Sequence, residues 1–278
     1  MYDTPPGLDL DTLRGIRGRS HDHSSLLTRI EEHLEAHDGY VALSGGKDSV
    51  VVTHLARQVD PNVPVVWFDS GTEFPETRTY IHDLANRWDL NLTVTSTTPT
   101  LLEALTASGD WDHTAPAGPH LNIHEALILQ PSRLAHQLHG PGELWGVRSA
   151  ESIGRRTLHR VQLRHQVATA CTDCCTTDAQ QRAQHGGIVA RVDGTTAYSP
   201  VWNWPTPHIW DYLAAHRIPT NPVYDKLRSL GAPDEALRVS HLIDAGHLGT
   251  GRATWLRRGW PQLYDQLITA LPRLTEFV

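Results

Sequence analysis

The stretch GYVALSGGKDSVVVTHLARQ, residues 39–58, constrains the fold more than any other part of the chain. Its first six residues are short and largely apolar, as in a buried strand. From Asp48 to Gln58, Val51, Val52, Leu55 and Ala56 recur on one face, which predicts a helix. A strand handed to a helix through Gly45-Gly46 is half of a strand–helix–strand unit and points to an α/β architecture. The link also has a chemistry. Glycines reach positive φ and let main-chain N–H groups come close to an anion. The helix start near Asp48 adds its partial positive charge. Ser44 and Ser49 can donate hydroxyl hydrogen bonds, and Lys47 supplies a point charge. Lys47 is one of only two lysines, with Lys226, among 24 basic residues. Two better-known nucleotide loops do not fit. A Walker loop needs a glycine where Val41 stands and a hydroxyl residue where Asp48 stands, and the spacing is not that of G-x-G-x-x-G.

The segments that follow repeat the alternation. Residues 64–70 and 91–97 read as strands, 74–88 as a helix with Pro75 near its start, and 101–105 as helical. Residues 123–140 read as a helix kinked or broken at Pro131, and 143–148 as a fourth strand. Strands alternating with helices predict a twisted parallel sheet with helices on both faces. Ligands of such sheets sit beyond the carboxyl ends of the strands. Three polar segments fall at those ends: SGGKDS, DSGTEFPET and RSAES. Residues 151–195 are polar and Arg/Gln-rich, with no element assigned. In 198–227 a helix is expected from Thr206 as N-cap with Pro207 in its first turn, and 233–278 reads as two or three helices. The expected organisation is a lead-in and helix over 1–38, a nucleotide-binding domain over 39–227 and a helical extension over 228–278.

Four motifs in order resemble one family. SGGKDS resembles the pyrophosphate-binding loop of the N-type ATP pyrophosphatases, also called adenine nucleotide alpha hydrolases. FDSGTEFPET, GVRSAESIGRR and YSPVWNWPTPHIWDYLAAHRIPTNPVYDK resemble successive motifs of its phosphoadenosine-phosphosulfate (PAPS) reductase-like branch. The likeness spans about residues 39–227. It implies a Rossmann-like α/β fold and cleavage of ATP between its α and β phosphates, adenylylating an acceptor for sulfur incorporation. Lys47, Asp48 and Arg148 would then be catalytic. Ser44, Gly45, Gly46, Lys47, Asp48, Ser49, Asp69, Gly71, Arg155 and Arg156 would hold the nucleotide. Asp48 beside phosphates suits a bridging Mg²⁺, with helix capping as its plainer role. The plainer alternatives are a strand-end turn for Asp69 and Gly71 and a solvated face for each of the three arginines. Trp202, Trp204, Trp210 and Tyr212 read as packing rather than stacking platforms.

The overall order looks most like the ATP pyrophosphatase subunits of bacterial DNA-phosphorothioation systems. That likeness implies a cysteine desulfurase or other sulfur donor as partner, and DNA reached through partner subunits. A net charge of −7 makes any nucleic-acid grip local. The segment Arg252–Trp260 interleaves basic and aromatic residues, or is simply an amphipathic helix. Alternatives are a sulfonucleotide reductase of sulfur assimilation, tRNA sulfur modification and a non-catalytic nucleotide-binding regulator; a homo-oligomer is left open.

The cysteines bear on that choice. All three, Cys171, Cys174 and Cys175, lie within five positions, and none follows Cys175. The resemblance implies a C-terminal catalytic cysteine in thiol-dependent PAPS reductases, which is missing here, and the cysteine order of the iron–sulfur enzymes is not matched, so sulfonucleotide reduction is disfavoured. Three readings stand: a persulfide-carrying thiol pair, thiolates binding an iron–sulfur cluster or Zn²⁺ with His165 or His185 as a further ligand, and inert cysteines. A clustered set without a disulfide framework fits a reducing, cytoplasmic compartment. No apolar run approaches the roughly 20 residues that span a bilayer, and the first residues lack the pattern of a secretory signal.

Overall fold

The computed structural model describes residues 23–96, 98–109, 111, 112, 114, 122, 124–171, 175–239 and 251–278. The expected lead-in over 1–20 and Cys174 lie outside them. In chain order the elements are α1 (Ser24–Ala36), β1 (Gly39–Ala42), α2 (Lys47–Val59), β2 (Pro64–Asp69), α3 (Pro75–Trp88), β3 (Asn91–Ser96) and α4 (Leu101–Ser108). Then come a π turn (Glu125–Leu129), α5 (Gln130–His139), β4 (Gly142–Leu144), α6 (Ile153–Ala170), α7 (Asp178–His185), β5 (Ile188–Ala190) and β6 (Thr196–Tyr198). The chain ends with α8 (Thr206–Ala215), α9 (Val223–Ser229), a short 3₁₀ turn (Asp234–Ala236), α10 (Ala253–Gly259), α11 (Pro261–Ala270) and a second 3₁₀ turn (Pro272–Phe277). Among the described residues no helix is long and apolar enough to cross a membrane.

The six strands form a sheet ordered β3-β2-β1-β4-β6-β5. β1 pairs with β4, and β4 with β6, in parallel; Val41 lies opposite Leu144, and Leu144 opposite Tyr198. β5 closes the edge antiparallel to β6, with Ile188 opposite Tyr198. This is a Rossmann-like α/β fold with a helical C-terminal region. The β5–β6 hairpin is an addition to the expected strands. Each of its strands is three residues long, too short to give a periodic signal.

The chain divides into two compact units. One holds the described chain up to Leu43, Lys47–Val65 and His136–Thr220; the other holds Ser44–Gly46, Val66–Ala135 and Asn221–Val278. In the first, Tyr40, Val41, Val50, Val51, Val52, Leu55, Leu144, Ala197 and Ile209 are almost fully buried. The run Val50–Val52 is β-branched and a poor helix former, yet it sits in α2. Burial of roughly 1.5–3 kcal/mol per side chain outweighs that preference. In the second unit Trp67, Phe74, Ile81, Leu84, Leu101, Leu256 and Leu267 are buried in the same way.

Three local expectations are refined. The irregularity before Pro131 is a π turn over Glu125–Leu129 leading into α5. Proline has no N–H for the carbonyl four residues back, and its ring crowds that carbonyl, which a widened turn relieves. The cap of α8 is Pro205, not Thr206, and Thr206 and Pro207 are the first two helical residues. The strand expected over 143–148 ends at Leu144.

Candidate functional site

The unit that resumes at Lys47 gathers three of the expected residues. Asp48 is 8% exposed at the start of α2. Lys47 Nζ donates to its Oδ2 at 2.7 Å, and Arg148 Nε donates to its Oδ1 at 2.6 Å. Arg148, from the link after β4, is 2% exposed. Its Nη1 donates to Trp204 O at 2.8 Å and its Nη2 to Thr206 Oγ1 at 3.3 Å. The guanidinium expected to meet a phosphate is instead buried among protein acceptors. It holds Asp48 at the helix start and ties it to the segment before α8. An isolated charge so deep would cost several kcal/mol; the pair is viable because its donors are satisfied.

With both carboxylate oxygens engaged by cations, Asp48 is poorly suited to Mg²⁺, which favours carboxylates whose oxygens are available to it. The expected Mg²⁺ does not fit this arrangement. Asp48 acts as the anchor of two cations.

The turn after Arg148 is built by Glu151. Its Oε2 accepts the Arg148 N–H at 2.9 Å and pairs with Arg155. Burial alone would raise the Glu151 carboxyl; the Arg155 guanidinium and the Arg148 amide outweigh it and hold the carboxyl below its usual range. Ser152 then caps α6, accepting the Arg155 N–H at 3.1 Å. Arg155 thus sits on the protein's own carboxylate, and Arg156 is exposed in the first turn. Gly146 explains how closely this link approaches α2. A Cβ there would meet Ser49 N at 2.6 Å and the Asp48 carbonyl carbon at 2.7 Å, so a larger residue would push the two backbones apart.

In the other unit, Gly45 has φ +73°, a conformation open to glycine at little cost. Its carbonyl accepts from Asn221 Nδ2 at 3.2 Å, and the same amide donates to Thr77 Oγ1 at 3.0 Å. Asn221 is 2% exposed. Thr77 in turn donates to Val239 O at 2.8 Å. The turn is therefore pinned from two distant segments. Sequence reasoning quoted the Asn221–Lys226 motif but assigned Asn221 no role; its place in that motif was the available signal.

Asp69 and Gly71 form a braced turn. Asp69 accepts the Gly71 N–H at 2.9 Å and a bidentate fork from Arg78 at 2.5 and 2.8 Å. Behind it, Ser70 donates to Glu73 at 2.9 Å. Further along, Glu76 accepts from Lys226 Nζ and from Trp260 Nε1, both at 2.7 Å. The second lysine is thus committed to an ion pair. Arg252 and Trp260 are 2% and 5% exposed, so both ends of the basic–aromatic segment face the interior. Trp202, Trp204 and Tyr212 are likewise buried, as expected of packing residues.

The cysteines lie elsewhere. Cys171 is the C-cap of α6. That helix has 18 residues, so Cys171 stands about 27 Å along its axis from the Ser152 end. The donor atoms of Cys171, Cys175 and His185 all lie within 4.8 Å of one another, a group able to hold a metal ion. His185 is 8% exposed, and burial lowers its pKa.

A glycine turn after a strand, with a lysine and a helix start in sequence after it, is an arrangement that α/β proteins can use to hold an anion. The phosphoadenosine phosphosulfate reductase domain model matches residues 39–235, most of the chain, and the chain belongs to that family. It is 25% identical over 188 residues to the phosphoadenosine 5'-phosphosulfate reductase of Synechococcus sp., covering 67% of this chain and 68% of that protein. With the enzyme of the same name from Xylella fastidiosa strain M12 it shares 27% over 229 residues, 80% of this chain and 81% of the other. Among solved structures it is similar to PAPS reductase from Candida auris in a phosphate complex, with a TM-score of 0.47 and 16% identity over 73% of this chain and 84% of that one.

These relatives overturn the expectation of an ATP pyrophosphatase serving DNA phosphorothioation. The curated proteins are named phosphoadenosine 5'-phosphosulfate reductase, which favours the alternative reading. The reason the loop misled is chemical. Main-chain donors and an ammonium grip an oxyanion equally well whether it is a departing diphosphate or the phosphate of a sulfonucleotide.

Proposed function

We propose that this protein is a sulfonucleotide reductase acting on an adenosine 5'-phosphosulfate, with or without a 3'-phosphate. The observation that carries the reading is the glycine turn: Gly45, at positive φ and with its carbonyl held by buried Asn221, is followed by Gly46 and then by Lys47 at the start of α2. The turn and helix start receive the nucleotide's 5'-phosphate, and Lys47 offsets charge on the oxygen that leaves sulfur. Asp48 and Arg148 hold Lys47 in place. In the unit that begins again at Lys47, Ser49, Arg155 and Arg156 are further oxyanion donors; in the other, Ser44 is a donor and Gly71 with the Asp69–Arg78 fork forms a turn suited to a nucleoside.

The chain has no cysteine after Cys175, and Cys171 is a helix length from the Ser152 cap. In this reading an external dithiol supplies the nucleophile. Its first thiolate attacks sulfur, the S–O bond to the phosphate breaks, and the electron pair leaves on the nucleotide's phosphate oxygen. Its second thiolate then attacks the thiol-derived sulfur of the resulting S-sulfo adduct; the bond from that sulfur to the sulfo group breaks with its electron pair leaving on the sulfo sulfur as sulfite, and the dithiol closes to a disulfide. Two electrons pass from the dithiol to the sulfo sulfur.

The test is sulfite release from adenosine 5'-phosphosulfate and from its 3'-phosphorylated form, with dithiothreitol or a thioredoxin-type dithiol protein. Reductant-dependent sulfite with nucleotide formed in equal amount is the expected result. No sulfite with either nucleotide and either reductant, together with no calorimetric binding of either nucleotide, would overturn it.

A further inference from the structure

The arm formed by α6 and α7 buries few of its side chains fully, with Leu158, Leu163 and Val167 of α6 half-buried. Of the 18 residues of α6 only His159 is buried, and of the eight residues of α7, DAQQRAQH, only His185 is buried. A helix of eight residues is not stable alone, and one without an apolar face gains little from packing. α7 does have a capping box at Thr177 with Gln180, worth about 1 kcal/mol. The one buried residue of α7 is also the one that meets the two cysteines.

We propose that Cys171, Cys175 and His185 bind a single Zn²⁺ that staples the end of α6 to the end of α7. Three features support it. The donor set is two thiols and an imidazole, the mixture zinc prefers. The three donor atoms come from the C-cap of one helix, the link after it and the last residue of the next, and all lie within 4.8 Å. Two donors on one zinc are about 3.3–3.8 Å apart in a tetrahedron, so small side-chain rotations close the site. A cubane iron–sulfur cluster asks for four thiolates spread round a larger core, and the whole chain has three cysteines. Gly186, directly after His185, has its carbonyl held by Arg29 Nη2 at 2.9 Å, which fixes the chain on the far side of the histidine.

Binding leaves both cysteines as thiolates and the imidazole neutral, with two protons released to solvent. Water or another donor completes the fourth position. The ion ties together residues 171–185, and its role is to order the arm. This inference stands apart from the sulfonucleotide reading, since no substrate enters it.

The test uses the full chain purified under reducing conditions with zinc supplied. Elemental analysis and native mass spectrometry are expected to give one zinc per chain. Cobalt exchange should produce thiolate-to-cobalt charge transfer and the strong visible band of a four-coordinate ion. Cys171→Ser, Cys175→Ser and His185→Gln should each weaken zinc retention against a chelator at least tenfold, while His165→Gln, on exposed α6 surface, should not. Chelation should open the 171–185 segment to protease in the wild-type chain, so the proposal does not depend on any variant folding. A wild-type chain that takes up no zinc, one that carries iron with inorganic sulfide, or one isolated under reductant with a Cys171–Cys175 disulfide overturns it.

Discussion

The β1–loop–α2 region and the α6–α7 arm solve the same problem in opposite ways. In the first, a polar site is carried on elements that are almost wholly apolar beneath it: Val50, Val51 and Val52 are no more than 1% exposed, and Asp48 sits one turn above them. In the second, long helical surface is exposed and each helix buries only a histidine. A site resting on a core is positioned by packing, whereas a polar arm must be positioned by specific bonds. The contrast also separates roles. The buried region offers preorganised charge, and the arm brings Cys171, Cys175 and His185 together.

The largest effect expected from breaking this contrast is at Arg148. Arg148→Ala leaves the Asp48 carboxylate buried with one partner gone and should cost about 3–5 kcal/mol of stability, read from urea unfolding. The double variant Asp48→Asn with Arg148→Met should recover much of it, because neither charge then remains. Equal losses in the single and double variants would show that the pair itself, not the stranded charge, sets the stability. Next comes Lys47→Ala, which should lower sulfite release by about 100- to 1,000-fold with little change in unfolding midpoint, since Lys47 is half-buried at the loop. Retained turnover would remove Lys47 from the reaction.

How much of this was legible follows from the same contrast. The β1–loop–α2 region was readable because an apolar run, two glycines and a 3.6-residue repeat all agree over 20 residues. The arm was not assigned, because without an apolar stripe α6 gives no periodic signal, although Ser152 and Thr177 are good caps. Arg148 was identified as part of the site but given the wrong neighbour. Trp204 O and Thr206 Oγ1 lie more than 50 residues away in sequence, and nothing local announces that they will meet it. Gly146 and Asn221 are the same kind of case, since their roles exist only once distant backbone arrives.

A smaller effect sharpens the comparison through a matched pair. Val51→Ala, at 0% exposed, should cost about 2 kcal/mol, while Val161→Ala, at 53% exposed on α6, should stay within about 0.5 kcal/mol. A large loss at Val161 would mean that the arm packs against something further, such as a second chain.

The smallest effect lies beside the arm. His33 of α1 lines a cavity of about 260 Å³ together with Gln166 of α6, Gln184 of α7, and Tyr198. Burial pushes its pKa down to about 4, helped by the neighbouring His37 and Arg29, while a backbone hydrogen bond with Glu143 opposes the shift. His54 on α2 is also lowered to about 4, chiefly by burial, with His216 and Arg57 adding to it. For both groups the unfolded chain binds more protons between about pH 6.5 and pH 4 than the folded one. Stability is therefore full above that window and falls as the pH drops through it. His33→Gln should remove roughly one proton from the slope of unfolding free energy against pH across the window, leaving His54 and the other buried histidines to set what remains. An unchanged slope would mean that the cavity beside the arm is wet enough for His33 to titrate as it does in the unfolded chain, and that the seam between core and arm is looser than its burial implies.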